Sequence, residues 1–183
     1  PKNCLCGSKT IKETSQNTNK EDAVRRCIKG YECKFIAKEK LKHIVSKDAL
    51  NIDGLGKKVI EQFWELGLIK EPADIFNLNY QKISKLEGWW NLSINNLKKS
   101  IDKSKKIFLD KFIFSIGVRH IGQENAKILA EFFGSIKELE KLFDKEKINT
   151  TLQNLKDLDG IGETQITSIW NFFCCVLINV ALY

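Results

Sequence analysis

Two sets of residues in this chain have the types and spacing to do chemistry. The first is four cysteines near the N-terminus, Cys4, Cys6, Cys27 and Cys33. Thiolates gathered in two short-range pairs are the donor set of a tetrahedral structural metal site in a reducing compartment, with free or oxidised thiols as the alternative. Cys174 and Cys175 stand apart and fit neither scheme. The second set is a turn first met in NIDGLGKKVIEQFWELG (residues 51–67), where Gly54 and Gly56 flank Leu55 and are followed by Lys57 and Lys58. No strand pattern precedes it and the third glycine of a dinucleotide fingerprint is missing, so a Rossmann site is a poor fit.

Glycine accepts positive φ and exposes backbone N–H groups with no Cβ in the way, and the helix that follows begins with unpaired amides at the positive end of its dipole. A phosphate oxygen at that point receives hydrogen bonds that cost no side-chain entropy, and Lys57 and Lys58 add charge beside it. A tight helical hairpin can also need glycine only for packing. Repetition separates the two readings.

The turn recurs as IDGLG (52–56), LEGWW (86–90), VRHIG (118–122) and LDGIG (158–162), at spacings of 34, 32 and 40 positions. Each is followed by apolar residues at helical spacing: Ile60 and Phe63, Ile94 and Leu97, Ala126 and Leu129, Ile166 and Ile169, continued by Trp64, Ile101, Phe133 and Phe173. That period predicts one buried helix face per copy. Each copy also has a helical approach, such as KEKLKHIVSK before the first and DKFIFS before the third. The expected unit is helix, glycine turn, helix. The fold class is therefore mainly α, and the unequal spacings argue against a solenoid.

The 183 residues carry a formal net charge of +7, almost all of it from lysine, with arginine only at Arg25, Arg26 and Arg119. Lysine meets phosphate as a point charge, whereas base reading favours the arginine fork, so the balance favours a phosphate-backbone partner bound without sequence preference. The longest apolar run, near the C-terminus, is too short for the roughly 20 residues that cross a bilayer. Methionine is absent even at position 1, as expected of a piece of a longer polypeptide.

With these motifs in view, the chain resembles helix-hairpin-helix domains, and specifically the C-terminal half of the bacterial NAD-dependent DNA ligases. The resemblance rests on SKDALNIDGLGKKVIEQFWELGLIKEPADIFNL, ISKLEGWWNLSINNL, FIFSIGVRHIGQENAKILAEFFGS and LDGIGETQITSIWNFF, on their order, and on the cysteine cluster ahead of them. It implies a small Cys4 zinc finger (1–36), a four-motif helix-hairpin-helix DNA-binding domain (37–173) and an apolar tail (174–183) of no assigned role. It implies structural zinc on Cys4, Cys6, Cys27 and Cys33, and duplex DNA with a nick as partner. The adenylation and OB domains of the same chain would lie N-terminal to this region, with NAD used only by the full-length enzyme, in replication and repair in the cytoplasm, at the bacterial nucleoid. The candidate DNA-contact residues are Gly54, Gly56, Lys57, Lys58, Gly88, Asn91, Arg119, His120, Gly122, Gln123, Gly160, Gly162 and Thr164.

The chain departs from the family in three places. Cys4 and Cys6 are only two apart where the family has Cys-Pro-x-Cys, which is expected to strain the metal knuckle. Trp90 stands where the second glycine of its turn belongs; a bulky residue resists positive φ and would crowd a phosphate, so the second hairpin is expected to be structural or impaired, with Trp89 filling the buried slot. CCVLINVALY replaces the expected polar continuation, beyond which the resemblance implies a BRCT domain. His120 occupies the first-glycine place of the third turn, and Arg119 beside it is a DNA contact by resemblance, or else an ion pair with Glu124. The family's adenylated lysine, in Lys-x-Asp-Gly, is missing: Asn51 and Asp157 sit two before the two Asp-Gly pairs. The expectation is a non-catalytic DNA-gripping segment. A stand-alone helix-hairpin-helix module for branched or damaged DNA is the alternative.

Overall fold

A computed structural model describes residues 1–14 and 21–180. The chain forms two compact units, Pro1–Lys42 with Gly54–Ile94, and His43–Asp53 with Asn95–Tyr183.

The first unit opens with a two-stranded antiparallel ribbon, β1 (Thr10–Thr14) and β2 (Glu21–Cys27), in the register Thr10↔Cys27 and Lys12↔Arg25. Ile11 and Val24 are exposed, so this ribbon has little core of its own. An isolated hairpin of this kind is marginal in water, and something other than apolar burial must hold it. Arg25 supplies part of that by donating from Nη2 to the Thr10 carbonyl (2.6 Å) and from Nε to Thr10 Oγ1 (3.0 Å).

Helix α1 (Lys34–Ile44) begins directly after Cys33, and α2 (Lys57–Glu65) begins after Gly56. Lys42 on α1 reaches Glu39 and, on α2, Glu61, each at 2.7 Å. Ile60 and Phe63 are fully buried, but α2 stops at Glu65, where Gly67 takes φ +68 and the Leu68 N–H turns back to the Phe63 carbonyl at 2.8 Å. The helix is thus too short to carry a third buried turn, and Trp64 does not continue the apolar face as its spacing suggested. It is only partly buried, with Lys70 Nζ 4.5 Å from its ring centroid. A short 3-10 turn (Pro72–Asn77) leads to α3 (Tyr80–Ile83) and then α4 (Asn91–Ser104).

In the second unit, α5 (Leu109–Ile116) and α6 (Gln123–Phe133) form one hairpin. Helix α7 (Ile136–Leu139) and a 3-10 turn connect it to α8 (Ile148–Leu155) and α9 (Glu163–Val180), which form another. Gly117 and Gly134 end α5 and α6 in the left-handed conformation that glycine tolerates. The core gathers the predicted positions, Ala126, Leu129, Phe133, Ile166, Ile169 and Phe173, around Leu142, Leu152 and Leu155. Each such leucine contributes about 1.5–3 kcal/mol of burial. His43 also belongs to this unit: its Nε2 donates to the Phe114 carbonyl at 2.9 Å, which identifies it as a packed histidine rather than a ligand. Helix α9 runs through Cys174 as far as Val180, so the apolar segment begins as a helical continuation.

Candidate metal centre and nucleic-acid interface

The four cysteines converge. Cys4 and Cys6 come from the N-terminal turn, Cys27 ends β2, and Cys33 precedes α1. Sulfur-to-sulfur distances are 3.7 Å for Cys4–Cys33 and 3.5 Å for Cys6–Cys27, and all four sulfurs lie within 4.8 Å of one another. A tetrahedron with metal–sulfur bonds of about 2.3 Å has edges of about 3.8 Å, so the donor set fits a four-thiolate ion such as zinc. The shortened Cys4-Leu5-Cys6 pair closes without opening this cage, because Gly7 takes φ +86 and its N–H donates to the Cys4 carbonyl at 2.9 Å. Hydrogen bonds from the side chain and backbone of Ser8 hold the Cys6 thiol down to about 6. Cys27 goes the other way: against a lowering contact from the Lys29 backbone, burial and the neighbouring thiols push it up to about 12. Cys6 is thus held as the thiolate while Cys27 resists a second negative charge beside it, which a divalent cation would relieve.

The four turns share one backbone. Gly54, Gly88, His120 and Gly160 stand at the same place and all have positive φ, +93, +82, +60 and +88. His120 adopts the glycine conformation, as histidine does more readily than most side chains. The second position is different. Gly56 (φ −65, ψ 168) and Gly122 (φ −84, ψ −175) are extended N-caps, so a side chain there is conformationally permitted. This corrects the expectation that Trp90 meets a position of positive φ: Trp90 is not among the positive-φ residues, and its carbonyl accepts from Ile94 N–H at 3.0 Å, as Gly56 accepts from Ile60 and Gly122 from Ala126. Trp89 is partly buried against Phe63, with ring centroids 5.3 Å apart, and Leu55, Ile121 and Ile161 fill the equivalent slot more completely.

A Cβ built at Gly56 meets nothing within 4 Å, and at Gly122 only the Asn125 Oδ1 at 4.0 Å. Packing within this chain therefore does not require glycine at these two caps. Around them, Gly54, Lys57, Lys58, Gly88, Asn91, His120, Gln123, Gly160, Gly162 and Thr164 are all exposed, and Arg119 is half-buried. Glu124, offered as a partner for Arg119, pairs with Lys127 at 2.8 Å. The candidate contacts thus lie at the exposed mouths of their own turns.

One side chain that organises the turns escaped sequence reasoning. Asn125, three residues into α6, accepts from the Gly122 N–H through Oδ1 (3.4 Å) and donates through Nδ2 to the Gly160 carbonyl (2.8 Å). It ties the third turn to the fourth, and Ile128 Cδ1 lies 2.7 Å from where a Cβ on Gly160 would stand. The same cap-plus-three position holds Ser93, which accepts from Trp90 N–H (2.9 Å), and Gln165, which accepts from Gly162 N–H (3.2 Å). A polar residue three after the caps of the second, third and fourth turns, in a capping-box pattern, was the available signal.

Comparison with known proteins agrees with this geometry. The helix-hairpin-helix motif family matches residues 111–175, the two hairpins of the second unit. The DNA ligase of Pelagibacter ubique is 53% identical over 169 residues, covering 92% of this chain and 24% of the ligase. The chain belongs to the DNA ligase family, as a homologue of one segment of its members. DNA ligases of Azorhizobium caulinodans (39% identical, 94% of this chain and 27% of the ligase) and Rickettsia bellii (40%, 84% and 23%) match in the same way. The chain spans about a quarter of the length of these ligases. Among the described residues, no helix is long and apolar enough to cross a membrane.

Proposed function

We propose that this segment is the DNA-gripping part of an NAD-dependent DNA ligase, holding nicked duplex without sequence preference for a catalytic portion that lies outside it. The observation that carries this is the shared turn: four residues at one register position with positive φ, each opening onto an exposed helix start. The free amides of the first helical turns, with Lys57 and Lys58, would receive phosphate oxygens, and the Asn125 bridge sets the distance between two such receivers. Cys4, Cys6, Cys27 and Cys33 would hold a structural zinc, which would cross-link the ribbon to the start of α1. By this division, residues 1–36 serve as the zinc finger and 37–173 as the grip.

In the parent reaction, NAD would adenylate a lysine of the catalytic portion, AMP would pass to the 5′-phosphate at the nick, and the phosphodiester would close with release of AMP. This segment contributes position rather than proton transfer. The test is a chimaera in which the chain replaces the matching segment of the Pelagibacter ubique ligase. Sealing of nicks in two duplexes of unrelated sequence should persist at comparable rates. A chimaera that folds and charges with AMP yet seals no better than a ligase with the segment deleted would refute the proposal, and binding confined to branched DNA would favour a stand-alone module.

A further inference from the structure

Trp90 is the one cap among the four turns that is not glycine, and the turn is not distorted by it. Its N–H donates to Ser93 Oγ (2.9 Å), and that hydroxyl donates back to the Trp90 carbonyl at 2.8 Å. The indole is therefore launched from a fixed point. It is 76% exposed, and Leu92, two residues on, is 73% exposed, whereas the adjacent Trp89 is tucked against Phe63. An apolar pair of this size at a rigid helix start gains nothing from this chain's own core.

The flanking sequence indicates what it meets. The sequence from Lys82 to Lys111 carries eight lysines against three acidic residues, and Lys85, Lys98 and Lys99 are exposed. At the equivalent point of the other turns, an open glycine cap faces outward, where the proposed function puts the DNA backbone. In the second hairpin an indole projects instead. Against nucleic acid, an exposed aromatic stacks on a base face, and an apolar residue beside it wedges between steps. Intact duplex hides its base faces, but an interruption in one strand offers one.

We propose that Trp90, supported by Leu92, is a base-stacking contact that recognises the exposed base pair at a nick or one-nucleotide gap, so that the second hairpin reads the break while the glycine-capped turns hold the backbone. This rests on the DNA-gripping function proposed above and adds a residue and a role to it. The indole makes no ion contact, so its contribution is insensitive to salt.

The experiment measures binding of the full chain to a short intact duplex and to the same duplex with a one-nucleotide gap, for the wild type, Trp90→Gly and Trp90→Phe, with folding followed by circular dichroism. The wild type should prefer the gapped form, and Trp90→Gly should lose that preference, about five- to hundredfold for one stacked base. Trp90→Phe should retain most of it, and the salt dependence should be the same for all three. Wild-type and Trp90→Gly chains with the same gapped-to-intact ratio would overturn the inference while leaving the DNA grip standing. Tighter binding of Trp90→Gly to both duplexes would do so too, since the indole would then be an obstruction in front of a phosphate receiver. If the wild type bound neither duplex, both proposals would fall.

Discussion

Gly56→Ala separates folding from binding at a single methyl group. Gly56 is an extended N-cap, φ −65 and ψ 168, and the added Cβ meets nothing within 4 Å. Alanine is a poorer cap than glycine by about 0.5–1 kcal/mol, and it stabilises by about 0.4–1 kcal/mol through a less flexible unfolded chain. The two nearly cancel, so stability should stay within about 0.5 kcal/mol of the wild type in urea melts. Binding is another matter. Val59, which has no acceptor, stands where Ser93, Asn125 and Gln165 take the cap amide in the other hairpins, so the first turn presents its amides most openly. A methyl at Gly56 would hold a phosphate off these amides and lose a charge-assisted hydrogen bond of about 1.5–3 kcal/mol. Affinity for nicked duplex at fixed salt, read by fluorescence anisotropy, should fall about tenfold to a hundredfold. A stable Gly56→Ala chain that binds as tightly as the wild type would show that no phosphate sits against this turn.

Gly160→Ala should act on folding: its φ of +88 costs a side chain about 1–2 kcal/mol, and moving Ile128 away from the new Cβ adds about 0.5–1.5, whereas Gly88→Ala, at φ +82 in open space, should cost only the first amount in urea denaturation. Asn125→Ala should lower stability by about 1 kcal/mol and reduce DNA affinity by more than that equivalent, because it frees two turns to move relative to each other. Elemental analysis should find one zinc per chain, lost in Cys27→Ala or Cys33→Ala. Zinc affinity should rise with pH through neutrality, because at pH 7 the ion must displace a proton from Cys27, pushed up to about 12, and should fall further below pH 6 as Cys6 is protonated as well; competition with a chromophoric chelator at pH 6 and pH 8 measures this.

The hairpins were legible because glycine and a 3.6-residue apolar period report local backbone and a buried face, and both are written residue by residue. Ile60, Leu97, Leu129 and Ile169 lie where that period put them. Which position of the turn carries positive φ was not legible, since Gly54 and Gly56 look alike in sequence and only the backbone distinguishes a left-handed residue from an extended cap. For the same reason His120 looked like an exception and Trp90 like a defect. The end of α2 at Glu65 follows from Gly67, a signal present in the sequence that the apolar pattern through Trp64 obscured. The Asn125 bridge joins residues 35 apart and leaves no periodic trace. The cysteine cluster was legible from composition and spacing, but not the way Gly7 lets the short first pair close.

The most direct test of the DNA grip is the salt dependence of binding to a nicked duplex of arbitrary sequence, repeated on a second, unrelated one. Three glycine-capped turns, at one phosphate each and a slope of about −0.9 per phosphate, predict that log K falls against log salt with a slope of about −2.7 or steeper, and equally for both duplexes. An affinity that stays constant across that salt range, or that belongs to one sequence alone, would contradict a backbone grip by these turns.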